Sequence, residues 1–292
     1  MVDEIKNVSK SYMFDDESLG AVASWLNEMN IKYNATRFGL SAKIYRKWVD
    51  EPSKIPTFRE LWGIAELFDL VEFHKLFYSE GEGYLEKINL IKSGSATLEK
   101  SQENSARDYA FELKIASRFK RAGFSIINDN SHDVVVENDS TRLFIECKRP
   151  RKCETLIDLI RYAFDKQLAD VTDKSEQGVI CVDLSNIIYN EIIDTFKPND
   201  DGIFFLTSQQ LTKYRDDTDR FFRDMIYEQA RDIATGVRMI ILFYSFPVMV
   251  EVGNNTGIGR FQKFNHFVRL SIHNDALDKR ISESFMGSAG CF

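Results

Sequence analysis

The apolar positions change rhythm along the chain. Over roughly the first hundred residues they recur at helical spacing. Leu19, Val22, Ala23, Leu26 and Met29 follow the i, i+3, i+4, i+7 pattern of an amphipathic helix that Ser18 is placed to cap. Thr57 and Glu60 form a T-x-x-E capping box just after Pro56 and open a second helix, with Leu61, Ile64, Ala65 and Phe68 inward. Between them, Tyr33–Val49 parses as a short helix, a turn at Gly39 and a further helix from Ser41. Ile44 and Trp48 then face the core, while Lys43, Arg46 and Lys47 face out. Glu80–Asn104 mixes a short helical segment with Ser93-Gly94-Ser95-Ala96, the best boundary between an all-helical N-terminal domain (1–95) and the remainder (96–292).

Beyond that boundary, short β-rich runs alternate with helical ones. Ser105–Ala122 reads as a helix ended by Gly123. His132–Glu137 and Arg142–Lys148 read as strands joined by the turn-rich Asn138-Asp139-Ser140-Thr141, and Pro150 ends the second. Glu154–Ala169 is amphipathic, with Leu156, Ile160, Ala163, Phe164 and Gln167 inward. Gly178–Leu184 is a continuous apolar strand of the kind buried on both faces, and Gly202–Thr207 is another short strand. Asp219–Thr235 is helical, Val237–Val252 and Phe264–His273 are strand-rich, and Met286–Phe292 has the composition of a frayed end. The fold class is α/β, a mixed central sheet flanked by helices with an N-terminal helical domain.

Candidate chemistry gathers on the strand pair. Side chains alternate along a strand, so Phe144, Glu146 and Lys148 share one face and Leu143, Ile145 and Cys147 the other. With the turn centred between Asp139 and Ser140, antiparallel pairing sets Asp133 directly opposite Glu146, with Cβ atoms about 5 Å apart. Two carboxylates that close repel unless positive charge sits between them, which a hard divalent cation and Lys148 would supply. Glu112 falls in the middle of an apolar arc of about 200° on the preceding helix, with Lys114, Arg118 and Arg121 outside it. A carboxylate there is expensive to bury unless paired or bound to a metal, so it joins the site or forms a salt bridge to a buried lysine. The inward Gln167 could orient a water or a phosphate, or cap a backbone group. Lys148-Arg149-Pro150-Arg151-Lys152 offers a basic approach for a phosphate backbone, unless it is an ordinary solvated loop.

Composition narrows the partners. A chain with 43% hydrophobic and 28% charged residues is ordinary for a soluble globular protein. The net charge of −7 means that any nucleic-acid footprint is local, or is concentrated by oligomerisation. Cys147, Cys153, Cys181 and Cys291 form no CxxC pair, which favours reduced thiols in a cytoplasmic protein. The four histidines are scattered, the polar, acidic N-terminus does not read as a signal peptide, and the longest apolar run is too short for a membrane helix. No Ser-His-Asp or Cys-His set and no phosphate-cradling glycine loop competes with the hairpin.

Two family resemblances attach to these residues. Ala35, Gly39 and Trp48, with a later helix after Pro56, fall where a Cro/repressor-type helix-turn-helix puts its small residue, turn glycine and recognition-helix aromatic, though Tyr45 departs from the usual small β-branched residue. That resemblance implies DNA contacts from Lys43, Arg46 and Lys47; a helical bundle with those residues merely solvated is the alternative. Glu112, His132-Asp133 and Glu146-Cys147-Lys148, in their helix and strand context, resemble the PD-(D/E)xK nuclease superfamily, with His132 in place of the nominal proline. The resemblance covers about Ser105–Leu184 and implies a restriction-endonuclease-like fold and a Mg²⁺-dependent DNA endonuclease, of the kind found in restriction and phage defence. Mg²⁺ typically takes one or two carboxylates plus other oxygens. Asp133 and Glu146 would hold it with the backbone carbonyl of Cys147, Mn²⁺ being a possible substitute, and Glu112 would serve a second metal. Lys148 would position the attacking water and offset transition-state charge, and Arg149, Arg151 and Lys152 would meet the backbone. Double-strand cutting implies a homodimer or larger oligomer. The alternatives are a DNA-binding regulator with a non-catalytic nuclease-like fold, or an RNase using the same site.

Overall fold

The computed structural model describes residues 16–51, 54, 56–78, 85–95, 105–129, 131–138, 141–171, 176–196, 205–251, 259–271, 273 and 275–286. The expected frayed end beyond Met286, the turn residues Asp139 and Ser140, and Cys291 lie outside them.

Helices α1 (Asp16–Glu28), α2 (Arg37–Asp50), α3 (Phe58–Phe77) and α4 (Leu85–Ile91) come first. Ser18 lies inside α1 and does not cap it. The Thr57–Glu60 capping box at the start of α3 is present in both directions. Gly39, however, is not in a turn. A 3₁₀ turn at Tyr33–Ala35 leads to Thr36, whose side chain accepts from the Gly39 N–H and caps a continuous α2. Gly39 sits in the first turn of that helix, where a Cβ would lie 2.3 Å from the Tyr33 carbonyl oxygen. The glycine therefore serves a close backbone approach and not a reversal, and the two-helix parse of Tyr33–Val49 is replaced by one helix.

Helix α5 (Ser105–Arg121) ends at Gly123, which has φ 81°. It feeds an antiparallel meander of β1 (Ser125–Ile127), β2 (Val134–Glu137) and β3 (Arg142–Lys148). A 3₁₀ turn, α6 (Leu156–Tyr162) and a π-helical turn at Ala163–Gln167 then cross over to β4 (Glu176–Asp183), which runs parallel to β3. Helix α7 (Ser185–Phe196), β5 (Phe205–Leu206), α8 (Ser208–Gln229) and α9 (Arg231–Gly236) lead to β6 (Met239–Glu251), β7 (Gly259–Leu270) and α10 (Ala276–Met286). Strand β6 is parallel to β4 over its first residues, takes β5 near its far end, and pairs antiparallel with β7 along its length. The result is a seven-stranded mixed sheet among the described residues.

Strand alternation divides the core in two. Val134, Val136, Leu143, Ile145, Val179 and Cys181 face a layer built from α1–α5 and α10. Val135, Phe144, Ile180 and Val182 face a layer built mainly from α6–α9. From Val179 to Asp183, β4 is buried at every position, as a central strand covered on both faces must be. The N-terminal helices share one apolar cluster with α5 and the sheet. Helix α5 is enclosed by α3 on one side and by strands on the other, so Lys114 and Arg118, expected outside its apolar stripe, are buried at 6% and 3% exposure. No helix among the described residues is long and apolar enough to cross a membrane.

Candidate active site

The β2–β3 ladder runs from Val134↔Ile145 to Glu137↔Arg142, and the next residues at its open end are Asp133, in a bend just before β2, and Glu146 of β3. The register is the one expected from a turn centred between Asp139 and Ser140, although the strand expected from His132 begins only at Val134. Glu146 and Lys148 lie on the same face of β3 as Phe144, and the Glu146 side chain is 1% exposed. An ionised carboxylate so deep needs partners on both oxygens. Lys148 Nζ donates to Glu146 Oε2 at 2.9 Å, and His132 Nδ1 lies 2.9 Å from Glu146 Oε1.

Three oxygens converge on the Lys148 ammonium. Besides Glu146 Oε2, it lies 3.4 Å from Asp133 Oδ2 and 3.2 Å from the backbone carbonyl oxygen of Cys147. The same Asp133 oxygen, Oδ2, also accepts from the Cys147 N–H at 2.8 Å. Burial alone would lower the Lys148 pKa; the Asp133 charge and the Glu146 hydrogen bond outweigh it and hold the ammonium above the ordinary lysine value. Burial pushes the Cys147 thiol well up, so it is an inert spectator and its backbone does the work.

Glu112 reaches this cluster indirectly. Helix α5 packs on the opposite side of the sheet from Glu146, and the partner of Glu112 is Lys87 of α4, not Lys148. Lys87 Nζ donates to Glu112 Oε2 at 2.8 Å and to the Asp133 carbonyl oxygen at 2.5 Å. Burial raises the Glu112 pKa, with Lys87 opposing and Asp133 adding to the rise. The alternative of a salt bridge to a lysine is thus what Glu112 makes, although Lys87 is half-buried rather than buried, and it ties Glu112 to the residues just before β2 that carry Asp133.

Gln167 closes the π-helical turn that packs against β3, and it makes no hydrogen bond to the cluster. Its Oε1 is buried with no hydrogen-bond partner among the described residues. Arg149 departs from the expected basic approach. Its side chain is 9% exposed and turns inward, with Nε 2.8 Å from Asp183 Oδ2 and Nη2 3.1 Å from Asn186 Oδ1. The carboxylate at the end of β4 draws it in. Arg151 and Lys152 are exposed, as are Lys43, Arg46 and Lys47 on α2. Ile44 and Trp48 turn to the core as expected, Trp48 meeting Phe261 of β7 edge-on at 5.8 Å between ring centroids.

Lys87 carries no motif of its own in the sequence; Ile88 and Ile91, at helical spacing beside it, are the signal that places it on a helix. His132, which in the sequence stands only where the resemblance puts a proline, braces Glu146 and packs on the Phe144 ring at 4.7 Å.

The donor set suits a hard cation: two carboxylates and a backbone carbonyl, all oxygen. No group of three or more His, Cys, Asp or Glu side chains among the described residues is arranged to hold a metal. A Mg²⁺ site of one or two carboxylates completed by backbone, water and substrate oxygens does not require one. No protein-family model, no curated protein and no solved structure matches this chain.

Proposed function

We propose that this chain is a divalent-metal-dependent phosphodiesterase of the PD-(D/E)xK type, with a restriction-endonuclease-like fold, that hydrolyses DNA. The observation that carries the reading is the convergence of Asp133 Oδ2, Glu146 Oε2 and the Cys147 carbonyl oxygen on one cation, here the Lys148 ammonium. The helix, antiparallel meander, crossover helix and parallel strand around it give further support.

Asp133, Glu146 and the Cys147 carbonyl would hold Mg²⁺ or Mn²⁺, and Lys148 would swing from between them toward the substrate. The metal supplies Lewis-acid polarisation of the phosphodiester and an activated water. Lys148, held protonated by its carboxylate neighbours, acts as a positive charge toward the phosphoryl oxygens. His132 fixes the orientation of Glu146, and Glu112 with Lys87 fixes the strand end that carries Asp133. Arg151, Lys152, Lys43, Arg46 and Lys47 supply exposed positive charge for a backbone.

Plasmid cleavage with Mg²⁺, with EDTA, and in Glu146→Ala and Lys148→Ala tests the reading. Cleavage requires metal and falls at least a hundredfold in either variant; undiminished cleavage removes those residues from the mechanism. A parallel assay on single- and double-stranded RNA decides the polymer. One observation favours a second reading, a nucleic-acid-binding protein with an ion-paired scaffold: both Glu146 oxygens already have partners. That reading predicts binding without hydrolysis under any divalent metal.

A further inference from the structure

Helix α8 has two opposite faces. Leu211, Phe222 and Ile226 are buried and hold it against the layer on one side of the sheet. On the far side Lys213, Asp217, Arg220 and Asp224 are all exposed. At the helical turn angle these four fall within an arc of roughly 60°, directly opposite the buried residues. Arg215, nearer the buried side, takes Asp216, and the four residues of the stripe have no ion-pair partner among the described residues.

The order of the charges is what singles the stripe out. Along the chain it reads plus, minus, plus, minus, at steps of four, three and four residues. Read backwards, the spacing is the same and every sign is inverted. Such a stripe is complementary to an antiparallel copy of itself. Pairing about a two-fold axis sets Lys213 against Asp224 and Asp217 against Arg220, and each pair occurs twice. Sliding the copies by four residues one way opposes Asp217 to Asp224, and the other way opposes Lys213 to Arg220. Like charges across an interface are repulsive, so the pattern selects the first register over its neighbours.

We propose that α8 is a self-association surface that pairs antiparallel with α8 of a second copy of this chain. Phe221, 54% exposed on one flank of the stripe, supplies apolar contact. In the selected register the two Phe221 rings stand on the same flank, five residues or about 7.5 Å apart along the helices. Nucleic acid is excluded as the occupant, because Asp216 and Glu228, also exposed, leave the face with more carboxylates than cations. Exposed ion pairs contribute little apiece and are screened by salt, so the pairing is weak and salt-sensitive, and the charges fix register and partner more than affinity. The hairpin cluster takes no part, so the proposal stands or falls separately from the hydrolysis.

The test is sedimentation velocity on the full chain, with circular dichroism confirming that each variant is folded. The wild type dimerises at about 50 μM protein in about 0.05 M salt, and about 0.5 M salt weakens the dimer about tenfold or more. Lys213→Glu with Arg220→Glu makes the stripe wholly acidic, and Asp217→Lys with Asp224→Lys makes it wholly basic. Each double variant alone is monomeric, and an equimolar mixture of the two forms a one-to-one heterodimer. The proposal is overturned if the wild type is monomeric at low salt, if either double variant still dimerises alone, or if the folded variants do not associate on mixing.

Discussion

Glu146 Oε2 and Lys148 Nζ meet at 2.9 Å although their residues are neighbours along one face of a single strand, β3. A pair so placed is set by the pleat of the strand. Without metal, the ammonium therefore rests beside Asp133 and the Cys147 carbonyl. Lys148→Met leaves two carboxylates facing each other, and without metal it loses about 3–5 kcal/mol of unfolding free energy. Mg²⁺ then restores more stability to this variant than it adds to the wild type, because no ammonium competes for the oxygens. Urea denaturation of both proteins with and without Mg²⁺ measures this; equal responses would count against a metal at that point.

His132 holds the second oxygen of Glu146. His132→Ala leaves the strand register intact and frees Glu146 to turn. The Mg²⁺ concentration needed for half-maximal cleavage rises about tenfold or more, with a smaller change in the rate at saturating metal. A fall in the saturating rate alone would assign His132 to the chemistry.

Lys87 links Glu112 to the Asp133 carbonyl. Lys87→Met strands a carboxylate whose pKa burial already raises, at a cost of about 1–3 kcal/mol. Replacing both partners, Lys87→Met with Glu112→Met, recovers most of that loss, since no charge is then left without a partner. A double-mutant cycle by urea denaturation reads the coupling, and strictly additive losses would show that the pair is not coupled.

Asp69 sets an acid limit. Burial raises its pKa, but Lys114 and Lys263 outweigh that and hold it at about 2, below its ordinary 3.8. Between those values the unfolded chain binds the proton and the folded chain does not. Its stabilisation is therefore complete above about pH 4 and drains away as pH falls toward about 2. Lys263 runs the other way. Its ammonium is disfavoured in the fold, so the penalty present below about pH 8 is relieved as pH rises toward 10.5. Urea midpoints across pH report both, and Asp69→Asn must flatten the acid limb.

Gly39→Ala separates the two accounts of α2. The added Cβ meets the Tyr33 carbonyl at 2.3 Å, so the backbone must shift, at a cost of about 1–3 kcal/mol. The helix continues through the position, so circular dichroism keeps its helical signal while Tm falls. Loss of helical signal would restore a turn at Gly39.

The hairpin cluster of carboxylates and lysine was legible in the sequence because it is local. Glu146 and Lys148 lie on β3 and Asp133 just before β2, strand alternation has a period of two, and a short turn leaves one register that buries the apolar faces. The helices α3 and α5 were legible for a similar reason, through a capping box and an apolar stripe. Where two local signals competed, the sequence misled. Gly39 has the look of a turn glycine, and only the approach of the Tyr33 carbonyl shows what it is for.

What required tertiary structure was everything set by contacts distant in sequence. Glu66 with Arg107, Asp69 with Lys263, and Arg149 with Asp183 join α3, α5, β7 and the strand ends. No periodicity encodes which of several arginines and lysines turns inward, because each is compatible with a solvated face until another element covers it. The sequence by itself determined the alternation that brings Glu146 and Lys148 to one face of β3 and the hairpin register that sets Asp133 beside them. The packing of α3 and α5 over the sheet decided which other charges are buried and how they pair, because burial depends on neighbours that only the folded chain assembles.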